Sequence, residues 1–403
     1  MRGAVIFIMF FLLTAQISVA GNIISTQDTL RTTTIYDPTD YSAVMRQLER
    51  ASRPTFGQRL ASFLTQPLIK SEKVQVAGRV GIAYTQETNL MLAASATASY
   101  KANAKQSIES SAALTAMASI NGFFNIQASG INYLGRGDDK LLYNVGGGSM
   151  PTKFWGLGYN AADGNLQTSH TRKQVGTSIK YMHRFTTSIW AGAGVNLGYD
   201  KASMLDSLSV AYLAAGSQQT RSAFTSGISL NGTYDTRDNE YNPTRGFYIT
   251  LTGEMRPKSL GNYGKTLWNF NFQADYFQSL WRGGVMAFDL YGDLWSKHTP
   301  WLYWPSVGGA SRMRGYYLGR YMDCKMLTAQ AELRQTVYGP FGVCVWGGAG
   351  NIFDSFRNFD ISKTLPNGGL GVRLALAGRT VLRVDYGFGR HSRGLIINVN
   401  EAF

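Results

Sequence analysis

The residues best suited to chemistry lie in one stretch, Val307-Gly-Gly-Ala-Ser-Arg-Met-Arg-Gly-Tyr-Tyr317, whose tip is Met313-Arg314-Gly315-Tyr316. A guanidinium carried on a glycine-rich loop suits bidentate pairing with a carboxylate, because its planar fork presents N–H donors in parallel. Nothing comparable points to catalysis. The four histidines, His170, His183, His298 and His391, have neither the spacing to serine or aspartate of a nucleophile with its base nor the i, i+4 spacing of a metal site. The chain is therefore expected not to be an enzyme and to use no metal or cofactor. Cys324 and Cys344 are expected to be free thiols. Hairpin pairing about Tyr338-Gly339-Pro340-Phe341 puts Cys344 opposite roughly position 335, which leaves Cys324 badly placed for a bridge.

The loop that carries Arg314, residues 297–325, needs elements to hold it, and the flanking sequence is written in period two. Trp268, Phe270, Phe272, Ala274 and Tyr276 alternate with Asn269, Asn271, Gln273 and Asp275, and the same split recurs over 247–255 and 286–294. Rows this aromatic, repeated to the end of the chain, would need an enormous core in a soluble sandwich, so lipid is the simpler partner. Strands are expected near 74–86, 90–102, 107–119, 122–133, 139–148, 171–184, 186–200 and 219–235. Eight more follow near 246–257, 266–278, 284–296, 326–337, 342–351, 367–376, 379–389 and 394–403. The fold expected is all-β: a sixteen-stranded antiparallel transmembrane barrel, with short turns at one end and longer loops at the other. The segment 139–148 carries the weakest pattern because Gly146 to Gly148 interrupt it.

Composition agrees. Eight Trp, 22 Tyr, 21 Phe and 45 Gly accompany a mean hydropathy near neutral, the balance of strands that show lipid one face and water the other. The charge of +14 is scattered singly, without a cluster or stacking platform, which argues against nucleic acid and for anionic lipid headgroups, lipopolysaccharide and lumenal ion pairs. Arg2, the apolar run Ala4 to Thr14 and Ser18-Val19-Ala20 read as a cleaved signal peptide over residues 1–20, hence export. Residues 21–73 are expected to form a short periplasmic segment with helices over 39–51 and 55–64, small for an independent domain. In the last strand Leu395, Ile397, Val399 and Phe403 are expected to share one face. A terminal phenylalanine there is similar to the signal that outer-membrane barrels present to their assembly machinery.

By strand parity Glu332 points inward beside Gln330 and Arg334, and Asp385 points inward beside Arg383, so either could hold Arg314.

The loop stretch resembles the loop-six signature of the Omp85 superfamily, also called bacterial surface antigen D15, with Met313 in place of the usual Val or Ile. Asp235-Thr-Arg-Asp238, Asn242-Pro-Thr-Arg-Gly246, Glu332-Leu-Arg334 and Leu382-Arg-Val-Asp-Tyr-Gly387 extend the resemblance over roughly 74–403. It implies that loop six folds into the barrel and favours Glu332 as a partner of Arg314. The family's second carboxylate aligns with Gly348, which leaves Glu332 as the principal hold and a weaker second one. It further implies a seam between first and last strands that opens sideways, here 74–86 against 394–403, with Gly78 and Gly81 loosening the first strand. The function implied is insertion or translocation of proteins at the outer membrane, with unfolded outer-membrane proteins and periplasmic assembly factors as partners. A short member without the family's periplasmic POTRA repeats is expected. The alternative is a passive channel or a substrate-specific transporter.

Overall fold

The computed structural model describes residues 69–71, 74–101, 108–216, 218, 220–375 and 381–403. The leader and the two amino-terminal helices expected above lie outside them. Two compact units are present. In the smaller, residues 1–71 with 75–79, the two-residue strand Ile69–Lys70 runs antiparallel to Gln75 and Val76.

The chain forms a closed barrel of sixteen antiparallel strands, all within the larger unit except residues 75–79 of the first. They are β1 (Val74–Thr85), β2 (Asn89–Tyr100), β3 (Ser110–Ser119), β4 (Phe124–Leu134), β5 (Asp139–Phe154), β6 (Thr168–Arg184), β7 (Ile189–Ser203) and β8 (Ser222–Asp235). The circuit continues with β9 (Gly246–Arg256), β10 (Leu267–Trp281), β11 (Gly284–Trp295), β12 (Lys325–Tyr338), β13 (Phe341–Phe353), β14 (Leu365–Ala375), β15 (Val381–Gly389) and β16 (Ser392–Val399). Each strand pairs with the next, and β16 meets β1 through Ile397 opposite Tyr84. Closure removes the free edges that an open sheet would present.

Alternation sets the two faces. Trp268 is 58% exposed while its neighbour Asn269 is 9% exposed, so the greasy row faces out and the amides face the lumen. Buried ionic side chains then concentrate inside, on β10 to β15. The long connections gather at one end, which is the extracellular end by the rule of short periplasmic turns. They include α1 (Gly158–Asp163) after β5 and α2 (Ser207–Ala215) after β7, the latter capped by Asp206, which accepts from the Ser209 N–H at 2.7 Å. Loop six packs beneath them. Phe154, Leu213, Trp301 and Leu302 share one apolar cluster, and Trp155, Val307, Met313 and Tyr316 share another.

Two expected boundaries move by four residues or more, while the others shift by three or fewer. β5 runs on to Phe154, beyond the glycine run, because a ladder needs only backbone groups: Gly148 pairs with Gln174 and the register continues to Phe154 opposite Thr168. The last strand stops at Val399, short of the expected 403. Phe403 accordingly does not share the lipid face of Leu395, Ile397 and Val399. Its ring lies 6.4 Å from that of the inward, fully buried Phe277, and the Arg334 guanidinium sits 5.4 Å from its centroid. Residues 401–403 turn inward because Glu401 finds cations there, accepting from Arg373 Nε at 2.8 Å.

Candidate functional site: the loop-six lock

Loop six enters on a short ribbon of its own, Ser306 opposite Met322 and Val307 opposite Tyr321, and carries its tip to the inner wall at β12 to β15. Arg314 is fully buried there. Its Nη1 donates to Asp385 Oδ2 at 2.8 Å, its Nη2 donates to Glu332 Oε2, and its guanidinium lies 3.8 Å from the ring centre of Trp346. Of the two carboxylates left open by strand parity, the fold uses both. The second hold is Asp385, two strands along from β13, a buried carboxylate where Gly348 offers none.

Neither carboxylate serves Arg314 alone. Glu332 Oε1 accepts from Arg334 Nε at 2.7 Å, while Asp385 accepts from Arg383 Nη1 at 2.8 Å and from Arg373 Nη1 at 2.5 Å. With Glu401, three carboxylates face four guanidinium groups, those of Arg314, Arg334, Arg373 and Arg383. Such a cluster persists because each charge has partners, and removing one member leaves a buried charge short of its counter-ion.

Backbone geometry lets the tip approach. Met313 takes φ +50° and Gly315 φ +107°, the left-handed region that favours glycine. A Cβ on Gly315 would stand 2.6 Å from the Gly387 carbonyl carbon, and one on Gly387 would stand 2.5 Å from the Arg314 carbonyl oxygen. Two glycines therefore face each other where loop and β15 touch. Met313 enters an apolar cluster with Ile352 and Leu365, in room left by Gly350.

Other contacts tie the tip around the ends of β1 and β16. Gln86 Nε2 donates to the Gly315 carbonyl at 3.2 Å, and the Leu318 N–H donates to Glu87 Oε1 at 2.7 Å. On the opposite flank the Arg390 N–H donates to the Tyr316 hydroxyl at 2.8 Å, and the Tyr317 N–H donates to Ser392 Oγ at 3.2 Å. Arg312 holds both oxygens of Asp289 at 3.1 Å from its Nε, and Arg320 donates to the carbonyl of His391 at 2.9 Å and to Asn165 Oδ1 at 2.7 Å. Above them Arg390 grips Asp163 of α1 with two bonds, 2.7 and 2.9 Å, and holds that carboxyl below its ordinary range. Whatever stability this strap contributes is present above the usual carboxylate value and is lost only as pH falls through the lowered one. Burial pushes the Tyr321 hydroxyl up to about 12, so it stays a neutral donor to Asp163.

The sequence reading named Met313, Arg314, Gly315, Tyr316, Glu332 and Asp385, and the fold brings these six together. Phe403 and Gly348 border the cluster without joining Arg314. Gly81 lies in β1 with open space where a Cβ would stand, and Gly78 lies in the part of β1 that belongs to the smaller unit. Trp346 was within reach of sequence reasoning, since it shares the parity of Gly348. Gln86, Glu87 and Asn367, whose Nδ2 donates to the Arg314 carbonyl at 3.2 Å, gave no signal, because their partners are backbone groups far away in the chain.

Gly348 has no space for the family's carboxylate. A Cβ there would meet Asn367 Oδ1 at 2.7 Å and the Ala329 carbonyl at 2.8 Å, so a carboxylate would face oxygen atoms. Gly348→Asp is expected to weaken the folded barrel by about 1–3 kcal/mol. The check is the temperature at which the folded band disappears on a semi-native gel, and a variant as heat-resistant as the parent would show that the wall yields. Both cysteines are buried and unbridged, Arg334 rather than residue 335 standing opposite Cys344.

Comparison with solved structures places this architecture. BamA from Haemophilus ducreyi lacking POTRA domains 1–3 superposes with a TM-score of 0.59 at 14% identity, over 89% of this chain and 78% of that one. CdiB from Acinetobacter baumannii gives 0.52 at 12% identity over 82% of this chain, and CdiB from Escherichia coli gives 0.54 at 10% identity over 82%. This chain spans 60% and 63% of the length of those two proteins. No curated protein matches the sequence. With residues 133–394 matching the model of the Omp85 superfamily domain, and loop six docked through Arg314 in an outer-membrane barrel of that type, the chain belongs to the Omp85 superfamily.

Proposed function

We propose that this barrel inserts polypeptides into the outer membrane, or passes them across it, through a lateral seam between β1 and β16. One observation carries the reading: the two strands meet at Ile397 opposite Tyr84, the one registered pair among the described residues, whereas β15 and β16 pair from Gly389–Ser392 to Leu382–Val399. Few ladder bonds then oppose parting of the seam, and backbone groups left on its edges are a template for an added strand. Loop six supports the same reading, since it grips residues 86–87 on one side of the seam and residues 390 and 392 on the other. Clients would be unfolded outer-membrane proteins, delivered by periplasmic factors.

The test is a reversible lock. With Cys324 and Cys344 replaced by alanine, Tyr84→Cys and Ile397→Cys place two thiols at the registered pair. Barrels in vesicles should lose client insertion on oxidation and regain it with reductant. Insertion that is indifferent to the lock would overturn the seam. Large steady conductance that is unchanged both by the lock and by deletion of 308–320 would establish the passive channel instead.

A further inference from the structure

The outer face of β6 and β7 carries a charge arrangement that the seam does not use. Lys173 and Lys201 are directly opposite each other in the register. Both are exposed, and both point outward, because their neighbours Arg172 and Asp200 pair with each other inside at 2.8 Å. Directly opposed residues on antiparallel strands stand about 4.5–5.5 Å apart at Cβ, and like charges there are destabilising. The neighbouring pair of strands, β5 and β6, manages an outer charge differently. At the periplasmic end Asp139 stands opposite His183 and bonds it at 2.7 Å.

No acid relieves the lysines. Among the described residues neither ammonium has an ion-pair partner. Asp206, the acid that follows in the chain, is occupied by the Ser209 N–H and by Thr168.

Their height decides what reaches them. Below Lys201 the outward row of β7 is Ile189, Ala191, Ala193, Val195, Leu197 and Tyr199. Ten steps at about 3.3 Å, tilted about 40°, give roughly 25 Å, the height of the apolar band of such barrels. Lys201 is the next outward residue, and Lys173 stands level with it above Val175. The lysines therefore sit at the headgroup layer of the outer leaflet, over an aromatic at the band's edge.

We propose that Lys173 and Lys201 form a binding site for the phosphate of an outer-leaflet lipid headgroup. One phosphate between two opposed ammonium groups converts a repulsion into two charge-assisted contacts, and the acyl chains would lie along Val175, Tyr199 and Leu197. The site is independent of loop six and of any opening of the seam.

Purified barrel titrated with diphosphorylated lipid A, with its dephosphorylated form and with inorganic phosphate, and read by native mass spectrometry, tests this. The phosphorylated lipid should be retained, the other two not, and Lys173→Ala with Lys201→Ala should lower retention at least about tenfold. Equal retention of the dephosphorylated lipid, or by the double variant, would overturn the site, and saturation by inorganic phosphate alone would show a free-anion site instead. Lys173→Glu separates binding from folding. Opposite Lys201 it makes a complementary pair, so in lipid-free detergent the variant should be at least as heat-resistant as the parent while losing the lipid. Retained lipid in that variant would equally reject the proposal.

Discussion

Arg314→Ala is expected to remove the folded barrel's resistance to heat on semi-native gels, by about 3–5 kcal/mol. Its side chain faces Glu332 and Asp385, both fully buried, and stacks on Trp346. Deletion leaves two carboxylates short of a cation in a closed lumen and opens a void beside the indole. Arg334, Arg373 and Arg383 still contact those carboxylates, so part of the cluster's charge balance survives and the barrel should fold. What is lost is the loop. Protease accessibility of 308–320 should rise with the fall in heat resistance. Arg314→Lys should recover only part, because a single ammonium cannot hold two carboxylates on different strands as the fork does. Unchanged heat resistance together with unchanged protection of the loop would reject the lock.

Gly387→Val is the second large effect, and it reaches the same loop from the opposite wall. A Cβ on Gly387 would stand 2.5 Å from the Arg314 carbonyl oxygen and 2.7 Å from the Gly315 nitrogen, and these backbone atoms cannot turn aside. The loop must lift, so the ion pairs of Arg314 are lost without any charge being removed. The expected phenotype matches Arg314→Ala in sign and approaches it in size. Because both act on one contact, the double variant should fall well short of the sum of the two. Gly81→Ala is the control: nothing lies within 4 Å of a Cβ there, so the gel should not change. A Gly387→Val barrel with a protected loop would show that the glycine pair is incidental.

These two predictions differ in how far the sequence leads to them. Arg314 is legible from its motif, and Glu332 and Asp385 are legible as inward carboxylates, because a period of two assigns every strand residue to a face without any knowledge of its neighbours. The pairing of Gly315 with Gly387 is not legible. It depends on how deep a loop descends and which strand it touches, and those distances are set by closure of the whole barrel. Phe403 shows the same limit. Its parity with Val399 implies a lipid face only if the strand continues, and whether it continues depends on Arg373 and Arg334 waiting inside for Glu401 and the aromatic ring.

Local alternation was enough to point to a sixteen-stranded membrane barrel and to the lumenal side of its charges, because both follow from side-chain period and chain order, while the entry of loop six was implied by the resemblance of its motif. That Arg314 engages both carboxylates at once, the clasp of Gln86 and Glu87, the inward turn at 401–403 and the opposed lysines on β6 and β7 emerged only once the strands were in register. Each joins residues far apart in the chain, and nothing local in either partner records which residue the closed sheet will set opposite it.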